Sequence, residues 1–88
     1  MRMWGKYRVL EELTVKSKVV GVKQSRRAIA QSQASKAFLA CDADPVLLES
    51  LAKSCKENNI PVEGDYTMAQ LGAACRISVG AAVAVLLK

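Results

Sequence analysis

Histidine is absent from the 88 residues, and aromatic side chains, proline and cysteine are scarce. Without histidine the chain lacks the side chain most often used as a general base near neutral pH and as a metal ligand. The three cysteines, Cys41, Cys55 and Cys75, stand far apart with no Cys-x-x-Cys pair, so neither a zinc site nor a cofactor is expected. Their odd number, with no secretion signal, points to reduced thiols in a cytoplasm. Their expected role is that of small buried hydrophobes. No apolar run approaches the ~20 residues that span a bilayer. The opening Met-Arg-Met-Trp-Gly-Lys also lacks the apolar stretch of a signal peptide. With one Phe, the core must be built mostly from Ala, Val and Leu. Loss of any large side chain from so fine-grained a core should be felt.

Catalytic constellations are equally thin. Asp42 and Asp44 form a carboxylate pair, but Asp44 precedes Pro45 and reads better as a helix cap. Asp42 reads as a polar residue ending a strand. Cys75 has no base beside it to activate a nucleophile, and Gly21 is an isolated glycine, not a phosphate-cradling loop. No enzyme is expected.

What the chain does have is positive charge in one place. Up to Lys36 there are nine basic and two acidic residues, a net charge of +7; from Ala37 onward four basic and six acidic, a net of −2. A compact domain with this distribution has a basic pole, an electrostatic footprint for nucleic acid or another anionic surface. A membrane surface would call for large exposed apolars on a basic helix. Between Lys23 and Gln33, Ile29 is the one large apolar side chain, so no membrane partner is expected. Within the basic region, Val19 to Arg27 stands out. A short apolar run ends at Gly21 and a polar, cationic helix follows. Lys23 and Arg27, four residues apart, share one face with Gln24 beside them. That face opens at a helix N-terminus, where free N–H groups and the dipole favour an anion. Two cations and an amide there suit phosphates and base edges.

The elements alternate. Tyr7 to Lys16 has helical spacing of Val9, Leu10 and Leu13; Lys18 to Gly21 reads as a short strand; Lys23 to about Gln33 as a helix; Ala37 to Cys41 as a strand. Asp44-Pro45 opens a helix that stops by Asn58-Asn59, and Ile60 to Tyr66 is the next strand. Thr67 and Gln70 make a capping box for a helix running to about Cys75. Ala81 to Leu87 is so uniformly apolar that it reads as a strand buried on both faces. The order predicts an α/β chain, a single domain over residues 1–88: a three-layer α/β/α sandwich around a four-stranded mixed sheet.

Four pieces, in this order and spacing, resemble the L7Ae/L30e family of small RNA-binding proteins, and most of all its short bacterial members. They are Gly21-Val-Lys-Gln-Ser-Arg-Arg27, Ala40-Cys-Asp-Ala-Asp-Pro45, Leu71-Gly-Ala-Ala-Cys75 and Ile77-Ser-Val-Gly-Ala-Ala82. The resemblance covers nearly the whole chain beyond Tyr7. It implies an L30e-like sandwich, and a partner RNA containing a kink-turn, in which a bulge beside tandem sheared G·A pairs bends the helix. It implies that Gly21, Lys23 and Gln24 carry the motif that meets the G·A pairs. Arg27 would be the basic residue three positions on, usually Lys. Ile77, Ser78 and Val79 would be the apolar loop over the extruded nucleotide, with Arg76 as an added cation. Arg76 and Ser32 stand where the family usually has glycine. The RNA could be ribosomal, of riboswitch type or another transcript, bound by a monomer. The rival reading is a structural component of the large ribosomal subunit, or a scaffold using the same face. Against the first stands the lack of a long basic tail.

Overall fold

A computed structural model describes residues 17–88. The helix expected over Tyr7 to Lys16 lies outside the described residues. The others follow in order: strand β1 (Lys18–Val20), helix α1 (Val22–Ala30), strand β2 (Ala34–Ala40), helix α2 (Pro45–Glu57), strand β3 (Val62–Tyr66), helix α3 (Met68–Ala74) and strand β4 (Val83–Leu87). The sheet order is β1-β4-β2-β3. Strand β4 runs antiparallel to both β1 and β2, and β2 pairs with β3 in parallel, so the sheet is mixed. The apolar C-terminal strand thus lies in the sheet interior, as its composition requires.

Alternation along β2 and β4 sends side chains into two cores. Phe38, Ala40, Ala84 and Leu86 pack with Leu71 and Ala74 of α3 and with Cys75 just after it. Ala37, Leu39, Val83 and Val85 face the other way, against Ala28 and Ile29 of α1 and Leu51 and Cys55 of α2. A sheet with helices on both faces is the three-layer arrangement, and a strand buried on both faces cannot afford polar side chains. Cys55 and Cys75 are buried, and burial pushes both thiols above the usual range; for Cys75 the nearby Lys18 partly opposes this. They are the small hydrophobes expected, whereas Cys41 is exposed.

Helix starts follow the sequence closely. Val46 N–H donates to the Asp44 carboxylate at 2.9 Å, with Pro45 in the first turn. Gln70 N–H donates to Thr67 Oγ1 at 3.1 Å, and Thr67 N–H to Gln70 Oε1 at 2.9 Å, the reciprocal capping box. Helix ends and strand starts move. Helix α1 stops at Ala30, short of Gln33, because Ser32 turns left-handed at φ 57°. Strand β2 begins at Ala34, three residues before its apolar run, with a register irregularity between Ala34 and Lys36. Ile60 closes α2 by donating its N–H to Cys55 O at 2.8 Å, which delays β3 to Val62.

All three described helices close with the same hydrogen-bond pattern. A left-handed residue donates to the carbonyl three back, and its successor to the carbonyl five back. Ser32 and Gln33 bond to Ile29 O and Ala28 O, Asn59 and Ile60 to Lys56 O and Cys55 O, and Arg76 and Ile77 to Ala73 O and Gly72 O. The residues at the left-handed positions are Ser32, Asn59 and Arg76, at φ 57°, 57° and 61°. Glycine is the residue that adopts this conformation without a Cβ penalty.

Ser25 is fully buried inside α1, and its hydroxyl has no hydrogen-bond partner. A desolvated, unsatisfied hydroxyl costs about 1–3 kcal/mol, and alanine is the better helix former. Ser25→Ala is therefore expected to raise the thermal unfolding midpoint, by about 4–8 °C for each kcal/mol recovered. A lower midpoint would mean that the hydroxyl is satisfied.

Candidate nucleic-acid interface

Strands β1, β2 and β3 point the same way, because β1 and β2 both oppose β4 and β3 parallels β2. Their carboxyl ends share one edge of the sheet, and each strand is followed there by the N-terminus of a helix. Strand β4 starts at that edge too. Open α/β sheets bind ligands outside the carboxyl ends of their strands, where helix dipoles and short connections converge.

The three helix starts at this edge differ. The first turn of α2 is met by Asp44. That of α3 is met by Thr67 and by Asp42, whose Oδ1 accepts from Met68 N–H at 2.8 Å. Both carboxylates of the Asp42–Asp44 pair are therefore occupied as caps, one for each helix. Helix α1 starts at Gly21 with no side-chain cap. Its first intrahelical bond is from Ser25 N–H to Gly21 O at 3.0 Å, which leaves the amides of Val22, Lys23 and Gln24 ahead of it. Gly21 adopts φ 101° and ψ 155°, a region essentially reserved for glycine, and anchors to β4 by donating to Val83 O at 3.2 Å. Glycine thus permits the turn by which the chain passes from β1 into α1. Lys23, Gln24 and Arg27 are all exposed on α1. Arg26, which the four-residue spacing passes over, is exposed as well and makes a third cation on the helix. It was legible as the residue three beyond Lys23.

The connection from α3 to β4 reaches the same edge. Ala81 N–H donates to Met68 O at 3.0 Å, and Ile77 N–H to Gly72 O at 3.1 Å, so the loop is strapped along α3. Two glycines make the contact close. A Cβ on Gly72 would overlap the Val79 carbonyl oxygen and lie 3.1 Å from Gly80 Cα; one on Gly80 would lie 3.1 Å from Met68 Cβ. The loop's backbone is fixed while its side chains point outward. Arg76, Ile77, Ser78 and Val79 are all exposed, and Val79 is 68% exposed. Val79 is therefore not a core residue covering a sheet edge. The connection ends at β4, whose first residue accepts the Gly21 N–H, so Gly21 and the end of this loop are neighbours across the sheet. Arg76 keeps the left-handed backbone that glycine would favour, so its side chain leaves the loop shape intact at the cost of strain. Among the described residues no cluster of His, Cys, Asp and Glu could hold a metal ion, and no helix is long and apolar enough to cross a membrane.

Comparison with known proteins places the chain. It is 40% identical over 70 residues to an RNA-binding protein of Geobacillus sp. (strain WCH70), covering 80% of this chain and 85% of that protein. It is 39% identical over 70 residues, with the same coverage, to the RNA-binding protein YbxF of Geobacillus stearothermophilus. The solved structure of the Giardia lamblia 15.5kD RNA binding protein superposes with a TM-score of 0.85 at 23% identity, over 94% of this chain and 73% of that one, and so shares its fold. The model of the ribosomal protein L7Ae/L30e/S12e/Gadd45 family matches residues 7–88, and the chain belongs to that family.

Proposed function

We propose that this protein binds RNA as a single domain and recognises kink-turns, holding the RNA in its bent form. One observation carries the reading: an uncapped, cation-bearing helix N-terminus and a rigid loop tipped with apolar side chains converge on one edge of the sheet. A plain A-form duplex has no use for both. Its major groove is too narrow for side chains, whereas a kink opens that groove and extrudes a base. In this reading Gln24 and Lys23 meet base edges at the sheared pairs, with Arg27 and Arg26 toward phosphates. Ile77 and Val79 cover the extruded base, flanked by Ser78, and Gly21 permits the turn into the helix. The relatives named as RNA-binding proteins support the partner class.

Titration of a kink-turn RNA and a plain duplex of equal length, at two salt concentrations, tests it. The kink-turn should bind far more tightly, and both affinities should fall with salt as phosphate contacts require. Equal affinities would reduce the edge to a basic patch.

Arg76 gives a sharper expectation, because its backbone and its charge pull in opposite directions. Arg76→Gly relieves a left-handed Cβ that costs about 1–2 kcal/mol, less the extra chain entropy of glycine, about 0.5–1 kcal/mol. Stability should rise by up to about 1.5 kcal/mol. Binding should weaken for many RNAs, with the salt slope reduced by about one. Thermal melting and salt-dependent titration of the same variant read the two effects separately. A fall in melting temperature would contradict the strain.

A further inference from the structure

The flank of α1 carries a groove that the proposed kink-turn contacts border but do not fill. Gln24, Arg27 and Gln33, with Val19, Ala28 and Leu87, line an open concavity of about 240 Å³. It lies against β1, the edge strand of the sheet. Val19 pairs with Val85, so Val19 and Leu87 share the sheet face beneath α1 and form an apolar floor with Ala28. Gln24, Arg27 and Ala28 follow at helical spacing along one side of α1, and Gln33 lies just beyond the helix end.

We propose that this groove is a subsite for one unpaired nucleobase of the same RNA, outside the sheared pairs and the bulge. The proposal rests on the kink-turn reading, since Gln24 and Arg27 belong to both. Three features select a base. The apolar floor would be wasted on a phosphate alone. The Gln33 amide, which both donates and accepts, matches the mixed pattern of a base edge. A guanidinium at the rim can stack on a ring face as well as meet a phosphate. Charge selects RNA as the source: α1 carries Lys23, Arg26 and Arg27 with no acidic residue, and among the described residues no carboxylate lines the groove. The open concavity has room for a planar ring and not for a paired stem.

The test is a panel of kink-turn RNAs, each with one abasic nucleotide at a successive position beyond the kink, titrated against the unaltered protein and against Gln33→Ala and Gln33→Glu. Gln33 is exposed, and its backbone carbonyl keeps its bond from Lys88 N–H, 2.9 Å, in either variant. One abasic position should weaken binding about tenfold, within the range for a stacked base. Gln33→Ala should weaken the intact RNA and abolish the difference at that position, and Gln33→Glu should weaken it further. If Gln33→Ala leaves every affinity unchanged while Gln24→Ala lowers kink-turn binding, the subsite is overturned and the kink-turn reading stands. If the kink-turn and a plain duplex bind alike, both fail. A Gln33→Ala loss with no sensitive abasic position would assign the groove to the RNA backbone and overturn the base. Adenosine monophosphate binding as tightly as the intact RNA, and lost in Gln33→Ala, would overturn RNA as the source.

Discussion

Gly72→Ala should cost about 3 kcal/mol of stability, near the top of the usual range for forcing an extra carbon into a packed site. The reason is the identity of the obstacle. Most overpacked methyls push against the movable end of a side chain, whereas here the neighbours are the backbone of Val79 and Gly80. That backbone is held by the bonds from Ile77 to Gly72 and from Ala81 to Met68, so it cannot step aside without breaking them. In an 88-residue chain such a loss lowers the unfolding midpoint by roughly 15 °C. Gly64→Ala is the control. Its Cβ would meet nothing nearer than Leu39 O at 4.0 Å, so its midpoint should stay close to that of the unaltered protein. Melting curves of the two variants side by side decide the matter: if Gly72→Ala melts with Gly64→Ala, the loop slides freely over α3.

The largest expected effect on binding is at Gln24. Gln24→Ala should weaken the kink-turn complex by about 1–3 kcal/mol, the loss for a specific base contact, and leave a plain duplex nearly unaffected. Gln24 is exposed and caps nothing, so the fold should not register the change. Arg26→Ala provides the contrast, since losing a phosphate-facing cation should weaken both RNAs. The ratio of the two affinities is the readout. A proportional loss for kink-turn and duplex would make Gln24 a surface residue and remove the basis for specificity at this position.

Much of the architecture could be read directly where one residue type does one job. Asp44-Pro45 and the Thr67–Gln70 pair announce helix starts because their bonds reach only a few residues. The run Ala81 to Leu87 announces an interior strand because only burial on both faces tolerates so much apolar surface. Strand β2 was legible only from Ala37. Its first residues alternate, with Ala34 buried, Ser35 exposed and the Lys36 amine 5.7 Å from the Phe38 ring centroid, and polar residues hid the strand. The same holds for the site. Spacing alone put Lys23 and Arg27 on one face, but counting only the four-residue step passed over Arg26. The packing of Gly72 was beyond reach, because it depends on a carbonyl seven residues away that folds back only in three dimensions. Family resemblance supplied the loop residues, whose exposure the structure then added.

The left-handed helix ends bear on how this protein could adapt to heat. Asn59 closes α2 at the end of the sheet opposite the three helix starts, away from any surface proposed to meet RNA, whereas Ser32 closes α1 directly beside Gln33 of the groove. A lineage moving to hotter conditions could place glycine at Asn59 and gain stability without altering what it recognises, though the gain is smaller than at Ser32, since asparagine tolerates this conformation better. Arg76 offers no such freedom. There the same exchange would trade a cation for stability, so thermal tolerance and RNA affinity become linked traits at Arg76 and separable ones at Asn59.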